Sequence, residues 1–176
     1  VAISCTWDTA AVADGTYTLE QTVTDLVGNS TIVSTGPFLV DNTVPAWPGG
    51  SFSRDGAAAG DITWTPSLTT LGSNWSAATD ANGINRYEFC LSTLTGCAGA
   101  ITVPWTSNAL ALNQTSTGLT LTEGQIYFSC VRALDPAGNT GALMCSDGQT
   151  VDSLLPVPPT AVNDGTAADI DWTTTS

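Results

Sequence analysis

The chain has 176 residues, with 16 acidic residues against three basic ones, a net charge of −13 and no histidine. That balance repels nucleic acid and anionic membrane surfaces. The lack of histidine removes the commonest general base and the commonest transition-metal ligand. With 42% apolar and only 11% charged residues, the composition suits a packed core and not a disordered chain.

The predicted elements are all strands. Thr and Val favour strands, and Gly, Asn, Asp and Pro punctuate turns. Strands are expected near 16–24, 30–40, 60–65, 85–92, 99–106, 117–121, 125–134 and 140–151. In the first, Tyr17, Leu19, Gln21 and Val23 alternate with Thr18, Glu20, Thr22 and Thr24, the pattern of a half-buried strand. Leu68–Ala81 reads as a long loop with at most a short turn of helix. No segment sustains a helical apolar period, and no apolar run is long enough for a membrane-spanning helix, which predicts no membrane insertion.

The sequence repeats itself. Tyr17, Asp25, Gly28 and Asn29 recur as Tyr127, Asp135, Gly138 and Asn139, 110 residues on. Val40-Asp41 with Pro45 recurs as Val151-Asp152 with Pro156. Asp61-Ile62-Thr63-Trp64 recurs as Asp169-Ile170-Asp171-Trp172. The expected organisation is the C-terminal part of one repeat in 1–43, a complete repeat in 44–154 and the N-terminal part of a third in 155–176. The expected fold class is all-β, with tandem immunoglobulin-like sandwiches, one complete and two partial. Trp64 is expected between the sheets. Since Val1 opens inside a repeat, the chain reads as a piece of a longer exported protein whose export signal lies upstream.

The middle repeat resembles the fibronectin type III modules of large bacterial surface proteins. The resemblance is carried by Trp64, Ile84–Leu91, Pro104-Trp105-Thr106, Gly118–Gly124 leading to Tyr127, Val131–Asn139 and Ser146–Asp152. The segments Asp14–Leu19 and Asp25–Asn29 look like the bacterial immunoglobulin-like variant. The resemblance implies a string of modules outside the cell, of the kind found in adhesins, stalks, enzyme appendages and phage fibres. Fold alone does not choose among these.

Five cysteines depart from that cysteine-poor pattern. Cys90 and Cys97 flank one turn, and Cys130 and Cys145 lie on consecutive strands, so the expected disulfides are Cys90–Cys97 and Cys130–Cys145. Free buried thiols are the alternative. Cys5 is left without an evident partner.

Catalysis is not expected. A hydrolase lacks its histidine or lysine base, and a glycosidase would have to rely on Glu88 and Glu123, which read as solvated strand and turn residues. Calcium is the candidate cofactor, because its ligands are carboxylates and carbonyls. Asp41, Asn42 and Asp152 at the repeat junctions are the candidate ligands, whereas Asp25 and Asp135 read as turn-capping residues. Trp75 and Trp105 are candidate sugar-stacking residues, with packing as the competing role for each. Asn29, Asn74 and Asn113 stand in N-glycosylation patterns. The expected function is a structural spacer or stalk in a bacterial adhesin-like protein. The alternatives are a glycan- or protein-binding module using loop 68–82, an accessory module of a secreted polysaccharide-degrading enzyme, or a strand-addition filament subunit. The expected partners are neighbouring repeats, with a surface glycan or protein beyond them, at an extracellular location.

Overall fold

The computed structural model describes residues 6–58 and 60–159. Cys5 and Trp172, the third-repeat equivalent of Trp64, lie outside these residues. Every regular element described is a strand, apart from two 3₁₀ turns at Thr9–Ala11 and Thr95–Cys97.

The N-terminal part is one antiparallel hairpin of β1 (Gly15–Thr24) and β2 (Ser30–Val40). Sequence alternation in β1 predicts one buried face. The structure differs: Leu19 and Val23 keep 38% and 50% of their exposure, since no other described sheet pairs or packs along this ribbon.

The other described strands form a sandwich. β3 (Ser53–Asp55), β5 (Leu71–Trp75) and β8 (Asn113–Ser116) form one sheet in the order β3-β5-β8. The facing sheet contains β4 (Trp64–Thr65), β6 (Arg86–Leu94), β7 (Ala98–Ser107), β9 (Ile126–Leu134), β10 (Met144–Cys145) and β11 (Gln149–Val151). Its order is β4-β11-β9-β6-β7, with β10 also on β9. All pairings are antiparallel except β4 with β11, which run parallel. A three-stranded sheet of β3, β5 and β8 facing a sheet built on β6, β7, β9 and β11 is the immunoglobulin-like, fibronectin type III-like arrangement.

The core lies between the sheets. From β5 it takes Leu71 and Trp75; from β6, Tyr87, Phe89 and Leu91; from β9, Tyr127, Val131 and Ala133; and Val151 from β11. Within a strand these positions are separated by two or four residues, so they share one face of the pleat. Trp75 stacks on Phe89 with centroids 6.3 Å apart and lies 6.2 Å from Tyr87.

The expected core role of Trp64 is therefore corrected: it is 61% exposed, while Trp75 fills the inter-sheet space with 3% exposure. β4 is only two residues long and pairs by its edge, so its tryptophan finds no opposing layer. The expected loop at 68–81 is likewise corrected, since β5 runs through it. Leu-Gly-Ser-Asn-Trp has no sustained β-branched pattern, and hydrogen bonds to β3 and β8 hold it extended. The strand expected at 117–121 falls instead at 113–116.

The hairpin and the sandwich share local devices. Asp25 Oδ1 accepts the amides of Val27 and Asn29, and its Oδ2 accepts Asn29 Nδ2 at 2.8 Å. Asp135 Oδ1 accepts the amides of Gly138 and Asn139, and its Oδ2 accepts Asn139 Nδ2 at 2.8 Å. Gly28 and Gly138 supply positive φ at +93° and +95°. Two tyrosine hydroxyls reach back to nearby backbone: Tyr17 donates to Ala13 O at 2.7 Å, and Tyr127 accepts the Thr122 amide at 3.0 Å. An acid precedes each tyrosine and holds the segment after the last strand. Asp14 accepts the Asn42 amide and the Thr43 hydroxyl, and Glu123 accepts the Ser153 amide and hydroxyl. Those bonds hold both carboxyls below their ordinary pKa.

Candidate functional site at the junction of hairpin and sandwich

β2 ends at Val40, and the chain passes through Asp41–Val44 to Pro45, which is fully buried. Ala46 and Thr79 exchange two backbone hydrogen bonds of 2.9 Å. Trp47 donates its indole N–H to Ala142 O at 2.7 Å and stacks on Tyr87. Gly141 is required here because a Cβ would stand 2.5 Å from Pro45 O.

The turn after β9 closes the junction. Asn139 Nδ2 donates to Asp41 O at 2.9 Å and Thr43 O at 3.1 Å while also binding Asp135. One side-chain amide thus organises its own turn and grips the segment leaving the hairpin.

Three carboxylates converge behind that grip. Asp41, Asp80 and Asp135 each place an oxygen within 4.8 Å of the other two. Asp135 is fully buried and Asp41 is 9% exposed. Asp135 is satisfied by its turn. Asp80 accepts the Asn82 amide through Oδ1, and Asp41 accepts the Thr43 amide through Oδ1 at 3.3 Å. The Oδ2 atoms of Asp41 and Asp80 are buried without a hydrogen-bond partner. Beside them lies a hollow of about 280 Å³ lined by Leu39, Asp41, Asn82, Pro136 and Ala137.

Of the residues expected to hold a cation, only Asp41 sits in this cluster. Asn42 is held elsewhere: its side-chain Nδ2 donates to Thr9 O and Val12 O and fastens the start of the hairpin. Asp152 caps the Leu154 amide and belongs to no carboxylate cluster among the described residues. Asp80 was missed because it lies far from Asp41 in sequence and carries no motif. Asp135 reads from the sequence first as a turn cap.

A second acidic group has a different character. Asp55, fully buried at the end of β3, lies near the exposed Asp61 and Asp147. It accepts Gly148 N at 2.9 Å and Gln149 Nε2 at 3.3 Å, so its oxygens are served and it ties the two sheets. Burial raises its pKa from the ordinary 3.8 to about 6, although the bonds from Ser146 and Gly148 oppose the rise. A raised folded-state pKa means that protonation favours the fold. Its stabilising effect is complete below pH 3.8 and is lost as pH rises through about 6. The expected loss is about 3 kcal/mol from this group. Carboxyl NMR should give Asp55 a midpoint near 6; a midpoint near 4 would contradict this account.

The candidate sugar-stacking residues are placed elsewhere. Trp75 is in the core, so this reading of it is corrected. Trp105 on β7 is partly buried beneath Arg132, whose guanidinium carbon lies 4.3 Å from the ring centroid. Arg132 and Arg86 both bind Glu88, at 2.7 and 2.9 Å. Burial alone would raise the Glu88 pKa, but these two arginines hold it below the ordinary value. Asn74 is corrected as a glycan acceptor, because its buried amide donates to the carbonyls of Gly56, Ala58 and Gly60.

The structure pairs Cys90 with Cys97 and Cys130 with Cys145. Cys90 and Cys130 face each other across β6 and β9 and are wholly buried. The two bridges are neighbours on the sheet face turned away from the core, with Gly96 N 3.3 Å from Cys130 Sγ. No described helix is long and apolar enough to cross a membrane.

No protein-family model matches the chain, and no curated protein matches it. Among solved structures, it is similar to the fibronectin(III)-like modules of CbhA from Clostridium thermocellum. The identity is 15%, over 86% of this chain and 70% of that one, with a TM-score of 0.49. It is also similar to module A71 of titin from human cardiac muscle, at 22% identity over 55% of this chain and 89% of that one, TM-score 0.36. A fourth fibronectin type III domain from human matches at 18% identity, over 69% of this chain and 92% of that one, TM-score 0.39.

Proposed function

We propose that the chain is a non-catalytic spacer, a length of rod made of successive sandwich units outside the cell. The observation that carries this reading is the twinned Asp-x-x-Gly-Asn turn. Its two copies make the same side-chain bonds to the last residue of the turn, and in the second copy the asparagine amide also grips the end of the preceding hairpin. The tyrosines that each reach back to nearby backbone, and the acids that each hold the segment after the last strand, support reading 1–43 and 44–154 as successive copies of one unit, with 155–176 opening a third. Neighbouring units are then the first partners.

The joint is short and rich in fixed contacts. Pro45 is buried, Ala46 is bridged to Thr79 and Trp47 is pinned to Ala142. These restrain swivelling between units. Two disulfides suit an oxidising compartment, and a charge of −13 keeps a surface protein soluble. Small-angle scattering on chains of increasing unit number tests the reading. The maximum dimension should grow in proportion to the number of units. Compact particles whose size is independent of unit number, or turnover of a polysaccharide panel, would defeat it.

A further inference from the structure

We propose that Asp41, Asp80 and Asp135 bind a calcium ion at the junction between hairpin and sandwich. Three carboxylates with oxygens within 4.8 Å repel one another, and Arg86 and Arg132 are both engaged by Glu88. Acidic residues alone are common. What distinguishes this group is the orphaned pair of Oδ2 atoms, on an Asp41 that is 9% exposed and on Asp80. A buried acceptor without a donor is costly and needs a partner. The Asp55 group makes the contrast, since backbone and side-chain N–H groups already serve its buried carboxylate.

Ligand chemistry selects the ion. All three donors are hard oxygens from three separate segments: the end of β2, the loop before β6 and the turn after β9. Calcium takes six to eight oxygens at about 2.3–2.6 Å in adaptable geometry, so oxygens on opposite sides of its shell stand up to about 5 Å apart. Magnesium demands a tighter octahedron. Zinc calls for nitrogen or sulfur, but the chain has no histidine and the described cysteines are paired. The hollow beside Asp41 and Asn82 gives room for water to complete the shell. Because Asp41 belongs to the segment leaving the hairpin and the other two to the sandwich, the ion clamps one to the other. Binding stands without the spacer reading; stiffening of the rod rests on it.

Calorimetric titration of the full chain with calcium tests the site, alongside D41N, D80N and the control D147N, with circular dichroism to check folding. The expected result is saturable binding that D41N and D80N each weaken at least tenfold and D147N leaves unchanged. Calcium should also raise the melting temperature of wild type and D147N but not of the other two. No uptake at millimolar calcium, uptake indifferent to D41N and D80N, or uptake lost in D147N would overturn the assignment. Should either junction variant fail to fold, the other decides; should both fail, carboxyl NMR of the wild type decides, since calcium should shift the Asp41 and Asp80 resonances and leave Asp147 unmoved, and the absence of such a shift refutes the site. Scattering with and without calcium then reads stiffening separately, so a spacer that binds no ion and an ion site in a non-spacer give different results.

Discussion

Trp75→Ala should destabilise the sandwich by about 3–5 kcal/mol, the usual range for emptying a buried large aromatic site. Trp75 is 3% exposed and packs against Tyr87 and Phe89, so its removal leaves a void between the sheets. Trp75→Phe should recover much of the loss. The Trp75 indole N–H is buried with no acceptor, so phenylalanine gives up ring area but no hydrogen bond. Urea unfolding at constant pH measures both. A loss under 1 kcal/mol for the alanine variant would mean that Trp75 is not a core residue. Trp64→Ala, at an exposed edge, should shift stability by only about 0.5 kcal/mol.

The double variant Cys130→Ala, Cys145→Ala should lose about 3 kcal/mol, and Cys90→Ala, Cys97→Ala about 2 kcal/mol. The ordering follows loop length, because the first bridge closes a separation of 15 residues and the second one of 7. A longer closed loop removes more freedom from the unfolded chain. Chemical denaturation under non-reducing conditions compares the two. The opposite order would show that native packing around the paired sulfurs outweighs chain entropy. Cys130 is the place for such an effect, since it lies fully buried opposite Cys90.

The sequence made the long strands legible. β1, β2, β6, β7 and β9 are runs of 9 to 11 residues with aromatic and β-branched content, and their expected ranges match within a few residues. β3, β5 and β8 were not legible. They are three to five residues long and consist mostly of polar and small residues, so their strand character comes from pairing, not propensity. That gap led to Trp64 being placed in the core in place of Trp75. The junction was half legible. Asp41 stood out beside a proline-containing linker, but Asp80 lies in a distant loop and meets it only when the sheets assemble. Asp135 was correctly seen as a turn cap, a role that hides its second position facing Asp41. Asn42 has a suitable oxygen for a cation, yet its amide is committed to two carbonyls at the foot of the hairpin.

The side-by-side course of β4 and β11 bears on how the sandwich carries load. One lies near the entry of the domain and the other at its exit, and they run in the same direction, joined by Thr150 N to Thr63 O at 2.8 Å and Asp152 N to Thr65 O at 2.9 Å. Tension applied along the chain slides these strands past each other and strains their bonds together, whereas an antiparallel hairpin pulled at its open end gives way one bond at a time. The Cys130–Cys145 bridge limits how much chain can be paid out after that first slip.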